Sequence, residues 1–370
     1  MPKPSALLKN KRLRALLAGP ALAMLATGCA QWPKEQTLRC SPATGPGGGT
    51  VSADGALRST ELSVLIYNVE GLPWPARRNR GPLLDQIGEE LARMRREGTA
   101  PDVLLVQEAF TARGARIGQT AGYANRVRGP RPSDMADPGL VDQDHIAGRR
   151  FRKGERSGKL LGSGLYAFSD YPVIAVHRRG FSRHACAGLD CLSAKGALLV
   201  RIIIPGMPSP VDIMTVHMNA QGAARVREAR TLAAHRYQTL ESERFLLETR
   251  DPANPLILGG DFNMRRSPDR LEHFDQHKPY NIVRRWCSEP ANDCDVRMSW
   301  DGDAPWLDTQ DLQVFDDGQL VTIRPLRVEA VFDGPETGGK LSDHDGYLVT
   351  YALSWPAAAA PMPAAACSGG

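Results

Sequence analysis

Six short polar segments, each at one end of an apolar run, constrain this 370-residue chain more than any other feature. They are YNVEGLP (67–73), VQEAF (106–110), SAKGALL (193–199), TVHMNA (215–220), GGDFNM (259–264) and LSDHDG (341–346). Short runs rich in Val, Ile and Leu read as buried strands. They fall at 62–67, 103–106, 164–168, 173–176, 197–204, 211–216, 256–258, 328–332 and 347–351. Residues 82–96 carry helical periodicity instead, with Pro82 at the start and Leu84, Ile87, Leu91 and Met94 on one face. Residues 223–248 form a second, longer helix. Strands interleaved with helices predict an α/β fold with polar side chains gathered where the strands end. The stretch 111–160 shows no periodicity and reads as a surface insertion carrying eleven Lys/Arg against five Asp/Glu.

The ends of the chain differ in composition from its body. Lys3, Lys9, Lys11, Arg12 and Arg14 precede an apolar run over about residues 15–26, followed by Thr27-Gly28-Cys29. A basic flank, a short apolar core and small residues make residues 1–28 an export signal, too short to span a bilayer. The LATGC context resembles the lipobox of bacterial lipoproteins. Cys29 is therefore expected to carry a lipid and anchor the mature chain to a membrane outside the cytoplasm, with free secretion as the alternative. Residues 29–60 then hold the anchor and a Gly/Pro/Ser/Thr-rich tether, 61–355 a single catalytic domain, and 356–370 a disordered Ala/Pro tail.

Removing the leader takes five of the 46 basic residues and no acidic ones, leaving 41 against 41. A neutral body gives no bulk reason to bind nucleic acid. Six of the seven cysteines remain once Cys29 is set aside. Proximity favours Cys186–Cys191 and Cys287–Cys294 as local disulfides, with Cys40–Cys367 joining the ends, in keeping with export. No C-x-x-C pair is present, which argues against zinc.

The polar segments hold the parts that phosphate ester cleavage requires: anionic ligands for a divalent cation, a base for water, and donors for phosphoryl oxygens. Asp, Asn, Glu and His in place of Cys favour a hard cation, Mg²⁺ ahead of Mn²⁺. A carboxylate near an imidazole can fix its tautomer and tune its basicity, although the sequence does not say which aspartate serves which histidine.

The order N…QE…H…GDFN…SDH resembles the endonuclease/exonuclease/phosphatase superfamily over residues 62–353. That resemblance implies a four-layer α/β sandwich with two central mixed β-sheets and a metal-dependent phosphoric ester hydrolase. Position by position it implies Glu108 as metal ligand with Asn68 beside it, and His344 as general base with Asp343 its acidic neighbour. Asp261 is the aspartate that orients the catalytic histidine or meets the metal. Asn263 and His217 are donors to the scissile phosphate, His217 also a candidate to protonate the leaving group. CLSAKGALLVRI (191–202) and SGLYAFSDYPV (163–173) resemble the sphingomyelinase-like branch, with Lys195 as a substrate contact. The expected substrate is a phospholipid headgroup bond, cleaved by a monomer held at the membrane; an extracellular nuclease and a soluble phosphomonoesterase are the alternatives. Trp74, Trp286, Trp300 and Trp306 sit in predicted loops where an indole could meet lipid. One departure is the strand before SDH, where nucleases and phosphatases of the superfamily commonly carry Asp-Tyr and this chain reads RVEAVF (327–332).

Overall fold

Alternation along the predicted strands decides the layering. In the strand that ends at Asn68, Val64 and Ile66 belong to one buried cluster and Leu65 and Tyr67 to another, so both faces are covered. The computed structural model describes residues 32–37, 49–136, 141–277, 280–297, 299 and 310–362. Its elements begin β1 (Thr50–Val51), β2 (Leu57–Asn68), α1 (Arg80–Arg96), β3 (Val103–Gln107), α2 (Ala112–Thr120), β4 (Asn125–Arg128), α3 (Gln143–Ala147) and β5 (Tyr166–Ser169). Next come β6 (Val173–Gly180), β7 (Gly196–Ile202), β8 (Val211–His217), α4 (Glu228–Thr249), β9 (Leu256–Asp261) and α5 (Pro268–His277). The chain finishes with β10 (Asn281–Ile282), α6 (Val283–Ser288), β11 (Asp295–Arg297), β12 (Asp311–Asp316), β13 (Thr322–Val331) and β14 (Gly346–Pro356).

Among the described residues one sheet runs β11-β13-β14-β2-β3-β5-β4, with β1 on β2, and the other runs β10-β12-β9-β8-β7-β6. Both mix parallel and antiparallel pairs. The inner faces meet in a core of Val, Ile and Leu that includes Ile66, Leu105, Ile213 and Ile257. Leu84, Ile87, Leu91 and Ile117 of α1 and α2 cover the outer face of the first sheet. Phe245 and Leu246 of α4 and Phe274 of α5 cover the second. This is the four-layer α/β sandwich the motifs imply.

A buried amide ties the sheets together. Gln313 of β12 donates from Nε2 to the carbonyl oxygens of Val64 (3.0 Å) and Tyr347 (3.1 Å) and accepts from the Tyr351 hydroxyl at 2.9 Å.

Several sequence expectations need correction. The stretch 111–160 is not a featureless insertion. Thr111 caps α2 by accepting from the Gly114 N–H (3.3 Å), and β4 is an edge strand. The buried face of α2 consists of Ala112, Gly114, Ala115, Ile117 and Gly118, small residues that a search for large apolar positions passes over. Within the stretch 29–60 expected to hold the anchor and tether, β1 and β2 are under way by Thr50 and Leu57. Gln36 exchanges backbone hydrogen bonds with Arg126 of β4 at 3.0 and 2.7 Å. At the other end, Ala357 N–H donates to the Ala56 oxygen and Met362 N–H to the Met207 oxygen, so the tail lies on the fold as far as Met362. Cys186–Cys191 and Cys287–Cys294 are disulfides; Cys29, Cys40 and Cys367 lie outside the described residues. Trp286 belongs to α6 and packs edge-on against Phe315 instead of standing in a loop; Trp300 and Trp306 also lie outside the described residues.

Replacing Gln313 by Ala removes two hydrogen bonds to strand carbonyls, about 1 kcal/mol each, and leaves the buried Tyr351 hydroxyl without its acceptor, at about 1–3 kcal/mol. Urea unfolding of Gln313→Ala is expected to show a loss of about 2–4 kcal/mol. A loss under ~1 kcal/mol would mean that Gln313 does not join the sheets.

Candidate active site

Register sets the chemistry. At the end of the second sheet His217 of β8 stands opposite Asp261 of β9, and Asp261 stands opposite Asp311 of β12. In the first sheet Asn68 of β2 is paired with Gln107 of β3, and Glu108 follows one residue later. His344 lies two residues before β14. Asn68, Glu108, His217, Asp261 and His344 therefore meet at one end of the two sheets.

The Gly-Gly of GGDFNM serves this placement. Gly260 has φ 154°, and a Cβ there would lie 2.1 Å from the Val216 carbonyl oxygen on the neighbouring strand. Past the strand ends, Glu108 (φ 58°) and Asn263 (φ 53°) are left-handed, a conformation that costs non-glycine residues on the order of 1–3 kcal/mol and gathers at functional sites. Gly71 lets its loop approach the Glu108 carbonyl, since a Cβ there would lie 2.5 Å from that oxygen.

Asn68 Nδ2 donates to Asp261 Oδ2 at 3.0 Å, and its Oδ1 accepts from the Glu70 N–H at 3.0 Å. Its amide also lies close enough to Glu108 to favour that carboxylate's charged form. His217 Nε2 lies 3.5 Å from Asp261 Oδ2 and 3.9 Å from Glu108 Oε1. Asn263 N–H donates to Asp261 Oδ1 (2.9 Å), and its Nδ2 donates to the Met218 oxygen (3.1 Å). Lys195 is buried, with Nζ donating to Asp190 Oδ2 (2.8 Å) and the Met218 oxygen (2.9 Å). Asp190 also accepts from the Ala220 N–H (2.5 Å), so these two residues brace the wall of the site. Asp343 points outward, its side chain 53% exposed and 3.6 Å from Arg77.

The residue that sequence reasoning missed is Asp311. Its Oδ2 lies 2.6 Å from His344 Nδ1, whereas Asp261 is 3.9 Å from His344 Nε2. Asp311 is thus the aspartate that orients this histidine, and Asp261 faces the Glu108 side. RVEAVF has no aspartate, and Asp311 stands on the preceding strand. The Asp311 contact fixes the tautomer with the proton on Nδ1. Nε2 is left beside the Gln310 amide (3.3 Å) and toward a cleft of about 670 Å³ lined also by Glu108, His217, Asn263 and Lys195.

Burial raises Glu108, with Lys195 and the Asn68 hydrogen bond pulling the other way. Burial pushes Asp261 up to about 7, His344 drawing it down and Asp311 adding to the rise. Burial, then Lys195 and His344, hold His217 well below the ordinary histidine range, so it is a neutral imidazole. Burial opposes charge on His344, yet the charge and hydrogen bond of Asp311, with Asp261, raise it to about 10. Two carboxylates held in a buried site at raised pKa form a place for a cation. Ligand atoms of Glu108, His217 and Asp261 lie within 4.8 Å of one another, as do those of Asp261, Asp311 and His344. The first set suits a hard divalent ion through its two carboxylates.

A buried carboxylate–imidazole array of this kind, at the open end of a two-sheet sandwich, defines a metal-dependent phosphoric ester hydrolase. The chain belongs to the endonuclease/exonuclease/phosphatase family, which matches residues 65–344. No curated protein matches it in sequence. Solved structures share the fold at low identity. Beta toxin from Staphylococcus aureus is similar at 16% identity and TM-score 0.55, covering 78% of this chain and 99% of the toxin; a variant of that toxin has been solved with bound magnesium ions. Sphingomyelinase C from Streptomyces griseocarneus is similar at 16% identity and TM-score 0.55, covering 79% and 99%. TDP2 from D. rerio, solved with a single-strand DNA product, is similar at 14% identity and TM-score 0.52, covering 79% and 99%.

The raised pKa of His344 has a consequence for stability. An ordinary histidine titrates near ~6.5. The Asp311–His344 pair therefore contributes in full below about pH 6.5 and loses its contribution as pH rises through about 10. In EDTA, the gap in Tm between the parent protein and Asp311→Asn is expected to be widest near pH 6 and to narrow toward pH 10. A gap constant across that range would mean that the imidazole carries no charge there.

Proposed function

We propose that this chain is an exported, membrane-anchored phosphodiesterase that hydrolyses a phospholipid headgroup bond, in the manner of a sphingomyelinase or phospholipase C. The observation that carries the reading is the rim of the cleft. Leu72, Pro73, Trp74 and Pro75 form one lip, with the Trp74 side chain 74% exposed, and Leu161, Leu189 and Leu192 contribute to the lining. Leu160, next in the chain to Leu161, is 68% exposed. Apolar surface of this kind is costly in water and suited to a lipid surface, and a soluble phosphate has no use for it. The same fold serves a sphingomyelinase C and a protein solved with DNA, and the apolar rim is what supports the lipid reading over nucleic acid. Two disulfides and the leader-like N-terminus support export, and anchoring at Cys29 completes the reading. No helix among the described residues is long and apolar enough to cross a membrane.

Glu108 and Asp261, braced by Asn68, would hold Mg²⁺, with Mn²⁺ the alternative. Bound there, the cation supplies positive charge to the phosphoryl oxygens and offsets the carboxylate field that keeps His344 protonated. Asp311 holds His344 Nδ1, leaving Nε2 to accept the proton of the attacking water. His217, neutral through burial, donates a hydrogen bond to a phosphoryl oxygen and is poorly suited to deliver a proton to the leaving group. Asn263 has a second amide hydrogen for the same phosphoryl group, and Lys195 keeps the wall of the cleft in place.

His344→Ala is expected to lower kcat by about 10²–10⁴, the usual contribution of a general base, and EDTA to abolish turnover until Mg²⁺ is restored. Trp74→Ala should reduce cleavage of sphingomyelin or phosphatidylcholine vesicles by about tenfold or more through lost apolar burial. Hydrolysis of bis(p-nitrophenyl) phosphate should be nearly unchanged. Equal loss on both substrates would remove the case for a lipid-facing rim.

A further inference from the structure

We infer that a second cleft beside the active site binds another phosphate of the substrate, so that the preferred lipid carries a phosphate beyond the scissile one. This rests on the lipid reading above and narrows it. The cleft, of about 780 Å³, lies between α3, the segment that follows it to Glu155, and the start of α4. Five cations line it, Arg150, Lys153, Arg225, Arg227 and Arg230, against three acids.

Two of the acids are already engaged. Glu155, buried, accepts from Arg230 Nε at 2.5 Å and from the backbone N–H groups of Arg150 (2.6 Å) and Gly188 (3.1 Å). Asp142 caps α3 by accepting from the His145 N–H (2.6 Å) and also accepts from the Tyr237 hydroxyl. Asp144 is the remaining acid, on the exposed side of α3. Lys153 Nζ donates to the Arg225 carbonyl at 2.9 Å. Among the described residues, no hydrogen bond or ion pair engages the side chains of Arg150, Arg225 or Arg227. Three guanidinium groups thus face one cleft with their donors free for an anion, and the planar fork suits phosphate. The start of α4 has no side-chain cap, and Glu228 in its first turn offsets the field of the helix end, so the arginines carry the argument.

Arg225 lines both clefts, and Gln221, Gly222 and Ala223 just before it line the active one. The two clefts therefore adjoin at the turn that carries Arg225. A second phosphate linked through a short polyol to the scissile phosphorus can reach across it. A choline headgroup would instead bring its ammonium toward the arginines. The basic character noted in residues 111–160 has a use here, since Arg150 and Lys153 come from that stretch.

The test compares cardiolipin, with two phosphodiesters on one glycerol, and phosphatidylglycerol, with one. Each is held at low surface fraction in nonionic detergent micelles with Mg²⁺, so that no neighbouring lipid lends its phosphate. The full-length protein is expected to favour cardiolipin in kcat/KM by about tenfold or more, as charge-assisted contacts to a second phosphate allow. In Arg150→Gln/Arg227→Gln, both exposed positions, the ratio should fall toward one, and Arg150→Lys/Arg227→Lys should restore part of it. Binding of glycerol 1,3-bisphosphate, followed by calorimetry, should weaken in parallel in the glutamine variant. A parent ratio near one, or a ratio and bisphosphate binding that survive the double substitution, overturns the subsite even where lipid is cleaved. Failure to cleave either lipid while the bisphosphate still binds through these arginines overturns the lipid reading and leaves the phosphate subsite standing. Arginine-dependent cleavage of single-stranded oligonucleotides without lipid turnover would assign the cleft to a nucleic-acid strand and overturn the inference.

Discussion

Asp261 and Asp311 face each other across an antiparallel strand pair, both buried, and the rest of the site is arranged around that repulsion. Like charges placed opposite one another in a dry site are tolerated only when positive charge is brought in. His344 brings it from the other sheet, and Asn68, also from that sheet, donates to Asp261. Catalytic convergence and sheet-to-sheet packing are thus one arrangement. A one-residue slip of β12 against β9 would turn Asp311 away from His344 and move Gln313 off its carbonyl partners together.

The parts of the site that could be read from sequence are those at the exits of strands apolar enough to recognise. Asn68, Glu108, His217, Asp261 and His344 each end or precede a run of Val, Ile and Leu, and the structure gathers all of them. Asp311 escaped because its strand alternates Asp311, Gln313 and Phe315 with Leu312 and Val314, so no apolar run marks it. The glutamine that hid the strand is the one that joins the sheets. α2 escaped for a related reason, its buried face being made of alanine and glycine. Residue type could not separate Trp74 from Trp286: both were placed in loops, yet one stands in solvent and the other lies against Phe315.

One wall of the active cleft is secured by covalent and ionic means together. The Cys186–Cys191 bridge closes a short loop that carries Leu189 and Asp190, and Asp190 holds both Lys195 and the Ala220 N–H. That wall also leans on α4, where Gln238 donates to the Ala185 oxygen and accepts from the Asn219 N–H, and Glu241 accepts from the Ser182 N–H. The opposite lip, with Trp74, is tied down by Arg80, which donates to the carbonyl oxygens of Val69, Glu70 and Leu341. The rim can thus present apolar side chains to solvent while its backbone stays fixed.

The docking of Gln36 on β4 bears on how molecules of this kind coexist at high density. An uncovered strand at the end of a sheet invites the same strand of a neighbour to pair with it. Here the chain occupies that position itself, through both backbone bonds of Gln36 and the contacts of Glu35 with the Arg128 N–H and with Arg178. Trimming those few residues would leave the reaction centre intact and open an adhesive border, so the damage would register as precipitation at high concentration before any deficit in rate.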